Sequence, residues 1–213
     1  MENGKESTRT SLGMSGSTEK KSQIHGIPKN VLNSEESMKE GTNRFFAIMI
    51  WQQLKASNSP MTVTEICRRV NQGYCDVWES DLTLLQKNTA RRHLEAMAGS
   101  TFRHFEIRKT VSGGKAYYSC CPKNDSKEAP KVAGKRLLPL AVLDVLLDND
   151  DCVTAKEIGE LLGGDIHKST LHRILNQMEK YTEEYFLEYL VLSDDFVENG
   201  YPVRKYFLVK RDD

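Results

Sequence analysis

The sequence predicts an α+β chain, mainly α, in which one unit of helix, helix, basic helix and β-hairpin occurs twice behind a polar N-terminal tail. Three observations predict it. Thr62-Val63-Thr64-Glu65-Ile66 recurs as Thr154-Ala155-Lys156-Glu157-Ile158. Each copy is followed by a basic amphipathic stretch, Lys87 to Met97 and then Lys168 to Met178. After each stretch come two strand-like segments around a turn, Gly113-Gly114 in the first copy and Asn199-Gly200 in the second. Self-similarity of this order marks a duplicated unit.

Residues 1–41 are rich in Ser, Gly, Thr, Lys and Glu and poor in apolar groups that could offset the entropy of ordering, so a disordered tail is expected. Residues 1–40 hold six basic and six acidic side chains, which excludes a basic arm. From Thr42 the pattern changes. Phe45, Ile48, Met49, Trp51 and Leu54 predict an apolar first helix that ends at Ser57-Asn58-Ser59-Pro60.

A second helix is expected from Thr62 to about Asn71, with Thr62 and Glu65 spaced as a capping box. The connection from Gln72 to Asp81 carries Tyr74, Val77 and Trp78, either tucked against the core or open to a partner. In the third helix Ala90, Leu94 and Met97 fall at i, i+4 and i+7 and face inward, leaving Asn88, Arg91, Arg92 and Glu95 outside. Gly99-Ser100 stops it. Phe102 to Thr110 then alternates, with Phe105 and Ile107 on one face and His104, Glu106 and Arg108 on the other, and Lys115 to Ser119 returns after the Gly113-Gly114 turn.

Residues 122–134 lack apolar periodicity and read as a linker. The pattern then repeats: Leu137 to Leu147, Thr154 to Leu162, His167 to Met178, and a hairpin of Tyr185 to Leu192 with Val203 to Val209. Lys87, Thr89, Arg92, Leu94 and Met97 align with Lys168, Thr170, Arg173, Leu175 and Met178. The expected division is a tail at 1–41, a first domain at 42–121, a linker at 122–134 and a second domain at 135–213.

With 213 residues, 38% of them hydrophobic and 28% charged, the chain is long enough for a core and reads as globular. The longest uncharged apolar run, Phe45 to Leu54, is far short of the ~20 residues of a membrane span. The N-terminus has no apolar segment of the signal type, so a cytoplasmic protein without membrane contact is expected. Five cysteines, Cys67, Cys75, Cys120, Cys121 and Cys152, show no disulfide or Cys-x-x-Cys spacing and read as reduced thiols, one of the Cys120–Cys121 pair facing the core. The formal net charge of zero hides a split. Residues 41–123 hold twelve basic and six acidic side chains, whereas residues 135–213 hold ten and sixteen. Phosphate neutralisation drives nucleic-acid affinity, so the first copy is the expected reader of DNA.

Helix, connection, basic helix and hairpin in this order resemble a winged helix-turn-helix. The stretch Asn88-Thr89-Ala90-Arg91-Arg92-His93-Leu94-Glu95-Ala96-Met97 ahead of a two-stranded wing is similar to the reading heads of DeoR-like and WYL-type bacterial transcriptional regulators. The resemblance covers residues 42–120, with 135–210 alike in pattern. It implies two tandem winged helix-turn-helix domains and a DNA-binding regulator. The chain departs from those families in carrying a second winged unit where an effector-binding domain is expected.

In that reading Lys87, Asn88, Thr89, Arg91 and Arg92 present a helix to the major groove, where Arg pairs with guanine and Asn with adenine. Arg108, Lys109, Ser112 and Lys115 make the wing a grip for the phosphate backbone. Lys168, Ser169, Thr170, His172 and Arg173 are candidates for a secondary contact, although acidic residues surround them. Partners follow: double-stranded DNA, a second copy of the chain as a homodimer on a palindromic site, and a protein bound through the second domain. A competing class is a tandem winged subunit of a chromosome-associated or replication-initiation complex. There is no Walker-type glycine loop, His-Glu-x-x-His or Gly-x-Ser-x-Gly, so the chain reads as no enzyme, with no cofactor and no metal.

Overall fold

The computed structural model of the chain describes residues 45–75, 84–123, 129–149, 151–184 and 188–211. The expected tail, the loop around Val77 and Trp78 and the strand start at Tyr185 lie outside these residues, and nothing is described of the Tyr74 side chain. Helix α1 occupies residues 45–55. There follow strand β1 (Met61–Thr62), helices α2 (Val63–Cys75) and α3 (Lys87–Ala98), and strands β2 (Phe105–Ser112) and β3 (Lys115–Pro122). After a 3₁₀ turn at Lys135–Leu137, the order recurs as helix α4 (Leu138–Leu146), strand β4 (Val153–Thr154), helices α5 (Ala155–Leu161) and α6 (Lys168–Glu184), and strands β5 (Tyr189–Glu198) and β6 (Tyr201–Lys210). The fold is α+β, with two three-stranded antiparallel sheets ordered β1-β3-β2 and β4-β6-β5 among the described residues.

The recurrence of element order extends to the packing. Met61 pairs with Tyr118 and Val153 pairs with Tyr206 across the two sheets. Ile66 and Ile158, Leu94 and Leu175, and Met97 and Met178 are all fully buried. Both hairpins use two-residue turns with left-handed backbones: Gly113 and Gly114 have φ of 55° and 75°, Asn199 and Gly200 of 52° and 82°. Their twist matches that of the flanking strands. The helix starts differ slightly. The Thr154 hydroxyl accepts from the Glu157 N–H at 3.2 Å while the Thr154 N–H donates to Glu157 Oε2 at 2.7 Å, a complete capping box. At α2 the Glu65 N–H reaches Thr62 Oγ1 at 3.3 Å, but the Glu65 carboxylate turns outward to Arg68 and Arg69, each at 2.8 Å. Those two guanidiniums hold the half-buried Glu65 carboxyl down at about 2.

Several boundaries depart from the expectation, among them strands β3 and β5, which run past Ser119 and Leu192 to Pro122 and Glu198. Helix α2 runs past Asn71 to Cys75, and the Asn71 side chain, within the helix, holds Leu85 by accepting the Leu85 N–H at 2.8 Å and donating to the Leu85 carbonyl at 3.1 Å. Helix α6 runs past Met178 to Glu184, since Tyr181 extends the buried stripe by one more turn. Strand β2 starts at Phe105 rather than Phe102. The Arg103 and His104 N–H groups are used elsewhere, by Asp144 at 2.7 and 3.1 Å.

The two halves share one continuous core. Residues 45–51 of α1 are buried on every side. Phe46 meets His93 of α3 edge-on at 6.3 Å, Trp51 meets Phe105 of β2 at 5.2 Å, and Phe45 meets Tyr181 of α6 at 5.9 Å. At the far end of α1, Lys55 Nζ donates to Glu188 at 2.8 Å and to the Tyr189 hydroxyl at 3.2 Å. Helix α4 is buried from Pro139 to Leu146, including Asp144, which is 0% exposed. Besides the two N–H groups, Asp144 contacts His104 Nδ1 at 3.1 Å, and Asp148 pairs with Arg103 at 2.6 Å. The described parts of 122–134 are fastened to this corner. Thr101 bridges to Lys131, the Ala133 N–H donates to Ser100 Oγ at 2.9 Å, and Lys123 Nζ donates to the Phe102 carbonyl at 3.1 Å. Among the described residues no helix is long and apolar enough to cross a membrane.

Candidate nucleic-acid interface

Helix α3 is anchored by Ala90, Leu94 and Met97, each 0% exposed, and this fixes the direction of everything on its other face. Lys87, Asn88, Arg91 and Arg92 are exposed there and Thr89 is half-buried. The residue before the helix, Gln86, is extended and offers no side-chain cap, so the first-turn N–H groups keep their donors beside Lys87.

The buried stripe has a fourth member, His93, that the apolar pattern does not disclose. Its Nδ1 lies 2.9 Å from the Thr89 carbonyl and donates to it, leaving Nε2 buried without a partner. Burial lowers the His93 pKa, the Thr89 bond opposes the shift, and the nearby Arg136 charge adds to it. The ring is therefore a neutral core group.

The hairpin β2–β3 brings Arg108, Lys109, Ser112 and Lys115 together on one projecting arm, all of them exposed. Two of these cations are engaged within the protein. Arg108 pairs with Glu106 at 2.9 Å, as side chains two apart on one strand face can. Lys109 donates to Glu95 of α3 at 2.6 Å, and the Tyr118 hydroxyl donates to the same oxygen at 2.8 Å. These two hydrogen bonds hold the Glu95 carboxyl below the ordinary range. Burial, with the Glu95 bond adding to it, pushes Tyr118 up to about 12. Glu95 thus joins hairpin to helix. Ser112 and Lys115, at the tip, face each other across the turn.

A further pair of cations enters from outside the first half. Lys135 and Arg136, at the 3₁₀ turn that opens the second half, are exposed and lie across a groove from Arg91 and Arg92. Glu95, Ala96, Ala133 and Gly134 complete its lining, and its volume is about 710 Å³. Sequence spacing could not disclose this neighbour, since 43 positions separate Lys135 from Arg92.

In the second half, Lys168, Ser169 and Arg173 are exposed at the corresponding face of α6, with Thr170 and His172 half-buried. Their surroundings differ. His167 Nδ1 lies 2.7 Å from the Ser169 hydroxyl, and Lys168 and His172 border a cleft that also holds Glu157, Glu160 and Glu198. Arg204 is taken by Glu179 at 3.1 Å and Lys205 by Glu198 at 2.6 Å. The acidic excess of this half therefore meets its cations at close range.

Cys67, Cys120, Cys121 and Cys152 are free thiols. Cys120 packs on the core, and burial pushes its thiol up to about 11, which keeps it protonated. Among the described residues no three His, Cys, Asp or Glu side chains gather as a metal site. Comparison with known protein families finds no family model that matches the chain, and comparison with curated proteins finds no match either.

Proposed function

We propose that this chain is a DNA-binding transcriptional regulator made of two tandem winged helix-turn-helix units, the first reading duplex DNA through α3 with the hairpin β2–β3 as its wing. The observation that carries the reading is the exposed basic face of α3, with Lys87, Asn88, Arg91 and Arg92 outward and the opposite stripe buried, beside a hairpin tied to it through Glu95. A helix so presented fits the major groove, and Arg and Asn are the side chains that read base edges there. In this reading Lys115 and Ser112 take phosphate contacts, while Arg108 and Lys109 must exchange their carboxylates for phosphates. The protein acts as a cytoplasmic, nucleoid-associated homodimer on a roughly palindromic site, and needs no cofactor.

A second reading, a protein-interaction subunit of a chromosome-associated or replication-initiation complex, is favoured by the second hairpin. Val197 and Tyr201 there are 77% and 73% exposed, beside the acidic Asp194, Asp195 and Glu198. Apolar side chains gathered on such an arm suit a protein partner.

The experiment is binding to duplex DNA fragments, the gene's own upstream region among them, at ~50 and ~200 mM salt, since phosphate contacts predict a steep loss between the two. The double variant R91A/R92A is expected to lose binding by at least ~10-fold and to retain its melting temperature, because both side chains lie outside the core. Unchanged affinity in that variant removes α3 as the reader. No binding by the wild type at ~50 mM salt transfers the case to the protein-interaction reading.

A further inference from the structure

Resting on the DNA-binding reading above, we propose that Lys135 and Arg136 hold a duplex DNA phosphate backbone in the groove beside α3, so that the entrance to the acidic second half belongs to the DNA interface of the first. Four cations line this groove, Arg91 and Arg92 from α3 and Lys135 and Arg136 from the 3₁₀ turn. Among the described residues none of the four stands in a salt bridge, whereas Arg108, Lys109, Arg204 and Lys205 all do. The one carboxylate in the lining, Glu95, is already occupied by Lys109 and the Tyr118 hydroxyl through a single oxygen. With four cations against one carboxylate that is already paired, the groove carries a net positive field, which attracts ions of the opposite sign.

The platform is fixed rather than trailing. Thr101 and Lys131 exchange backbone hydrogen bonds at 2.8 and 3.0 Å, the Ala133 N–H is held by Ser100, and the Leu137 N–H closes onto the Gly134 carbonyl at 3.1 Å. Leu137, fully buried, locks the turn into the core immediately after the two cations. Lys135 and Arg136 are thus carried at set positions next to the end of α3, which lowers the ordering cost of a phosphate contact. The occupant with matching chemistry is a chain of regularly spaced monoanions running past the exposed face of α3, and that is a nucleic-acid strand.

The test uses the full chain and a random-sequence duplex of ~30 base pairs, because phosphate contacts carry no sequence information. Binding is measured by fluorescence anisotropy across a salt series for the wild type, for K135A/R136A and for the charge-preserving K135R/R136K. If each cation neutralises one phosphate, the alanine pair flattens the slope of log affinity against log salt by about 2 and weakens binding roughly 10- to 60-fold at ~100 mM salt. The exchanged pair retains both slope and affinity. Wild-type slope and affinity in K135A/R136A overturn the groove assignment while leaving the α3 reading in place. A wild type that binds no duplex at ~50 mM salt overturns both together. An equal loss in K135R/R136K also overturns it, since side-chain shape rather than charge would then be at work.

Discussion

Replacing Asp144 with alanine tests the junction between the halves at its most buried point. The carboxylate is 0% exposed and accepts the Arg103 N–H at 2.7 Å and the His104 N–H at 3.1 Å, so alanine strands two backbone donors. Each stranded donor costs about 1–3 kcal/mol. Arg103 and His104 keep Asp148, at 2.6 and 3.4 Å, so neither side chain is left without a carboxylate. Against the loss stands a relief: burial raises the Asp144 pKa despite its three hydrogen bonds, so part of the desolvation penalty of the charge disappears with it. The net expectation is a destabilisation of about 2–4 kcal/mol at neutral pH. Urea unfolding followed by circular dichroism and by tryptophan fluorescence reads this directly. Both probes are expected to report one coincident transition, moved to lower urea, because the core is continuous. A D144A protein within about 0.5 kcal/mol of wild type would refute the role assigned to this carboxylate. Two separate transitions in the wild type would refute the shared core.

Two further predictions concern titration. His93 is buried neutral, with its pKa lowered chiefly by burial, so the unfolded chain takes up a proton first on acidification. Its contribution is present above the ordinary imidazole pKa of ~6.5 and is lost as pH falls from there through the depressed value, so H93L is expected to show a flatter melting temperature between about pH 7 and 5, and an unchanged slope would remove His93 as a source of acid lability. Glu95 is depressed by Lys109 and Tyr118, so its stabilisation exists above the ordinary carboxylate pKa and disappears as pH falls through the lowered one. E95Q is expected to cost at most about 1 kcal/mol, since the pair is largely solvated, and to raise hairpin mobility seen by amide hydrogen exchange at Lys109 and Tyr118; unaltered exchange there would show that the carboxylate does not hold the arm.

Much of the architecture is legible in the residues because it is local. The Thr-x-x-Glu-Ile starts, the i, i+4, i+7 stripe of Ala90, Leu94 and Met97, and the Gly113-Gly114 and Asn199-Gly200 turns each act within a few positions, and the elements form where those signals stand. What the residues conceal is long-range. Asp144 in an otherwise apolar run gives no sign that its partners lie about 40 residues earlier. Lys135 and Arg136 fall, by sequence, in the acidic half, and the bridge between Thr101 and Lys131, the Ala133–Ser100 hydrogen bond and the buried Leu137 bring them beside α3. His93 reads as polar, and its burial follows from Phe46 standing over it. The charges of Arg108 and Lys109 are present as expected, but counting cations does not reveal that Glu106 and Glu95 answer them.

Helix α1, enclosed along residues 45–51 by elements of both halves, changes what the recurring pattern means for this chain. A repeat that merely follows another can be deleted, swapped or multiplied, each copy carrying its own interior. Here Phe45 leans on Tyr181 and Lys55 reaches Glu188, so the later copy supplies part of the wall against which the earlier one closes. Removing either copy would bare an aromatic and aliphatic face to water, of the kind that drives self-association. The second copy consequently retains a structural duty even where it reads nothing, and its sequence is free to drift in charge at the surface only so long as Leu140, Leu175, Met178 and Tyr181 remain in place. Such a molecule is less a string of two modules than a single body whose halves have become mutually indispensable.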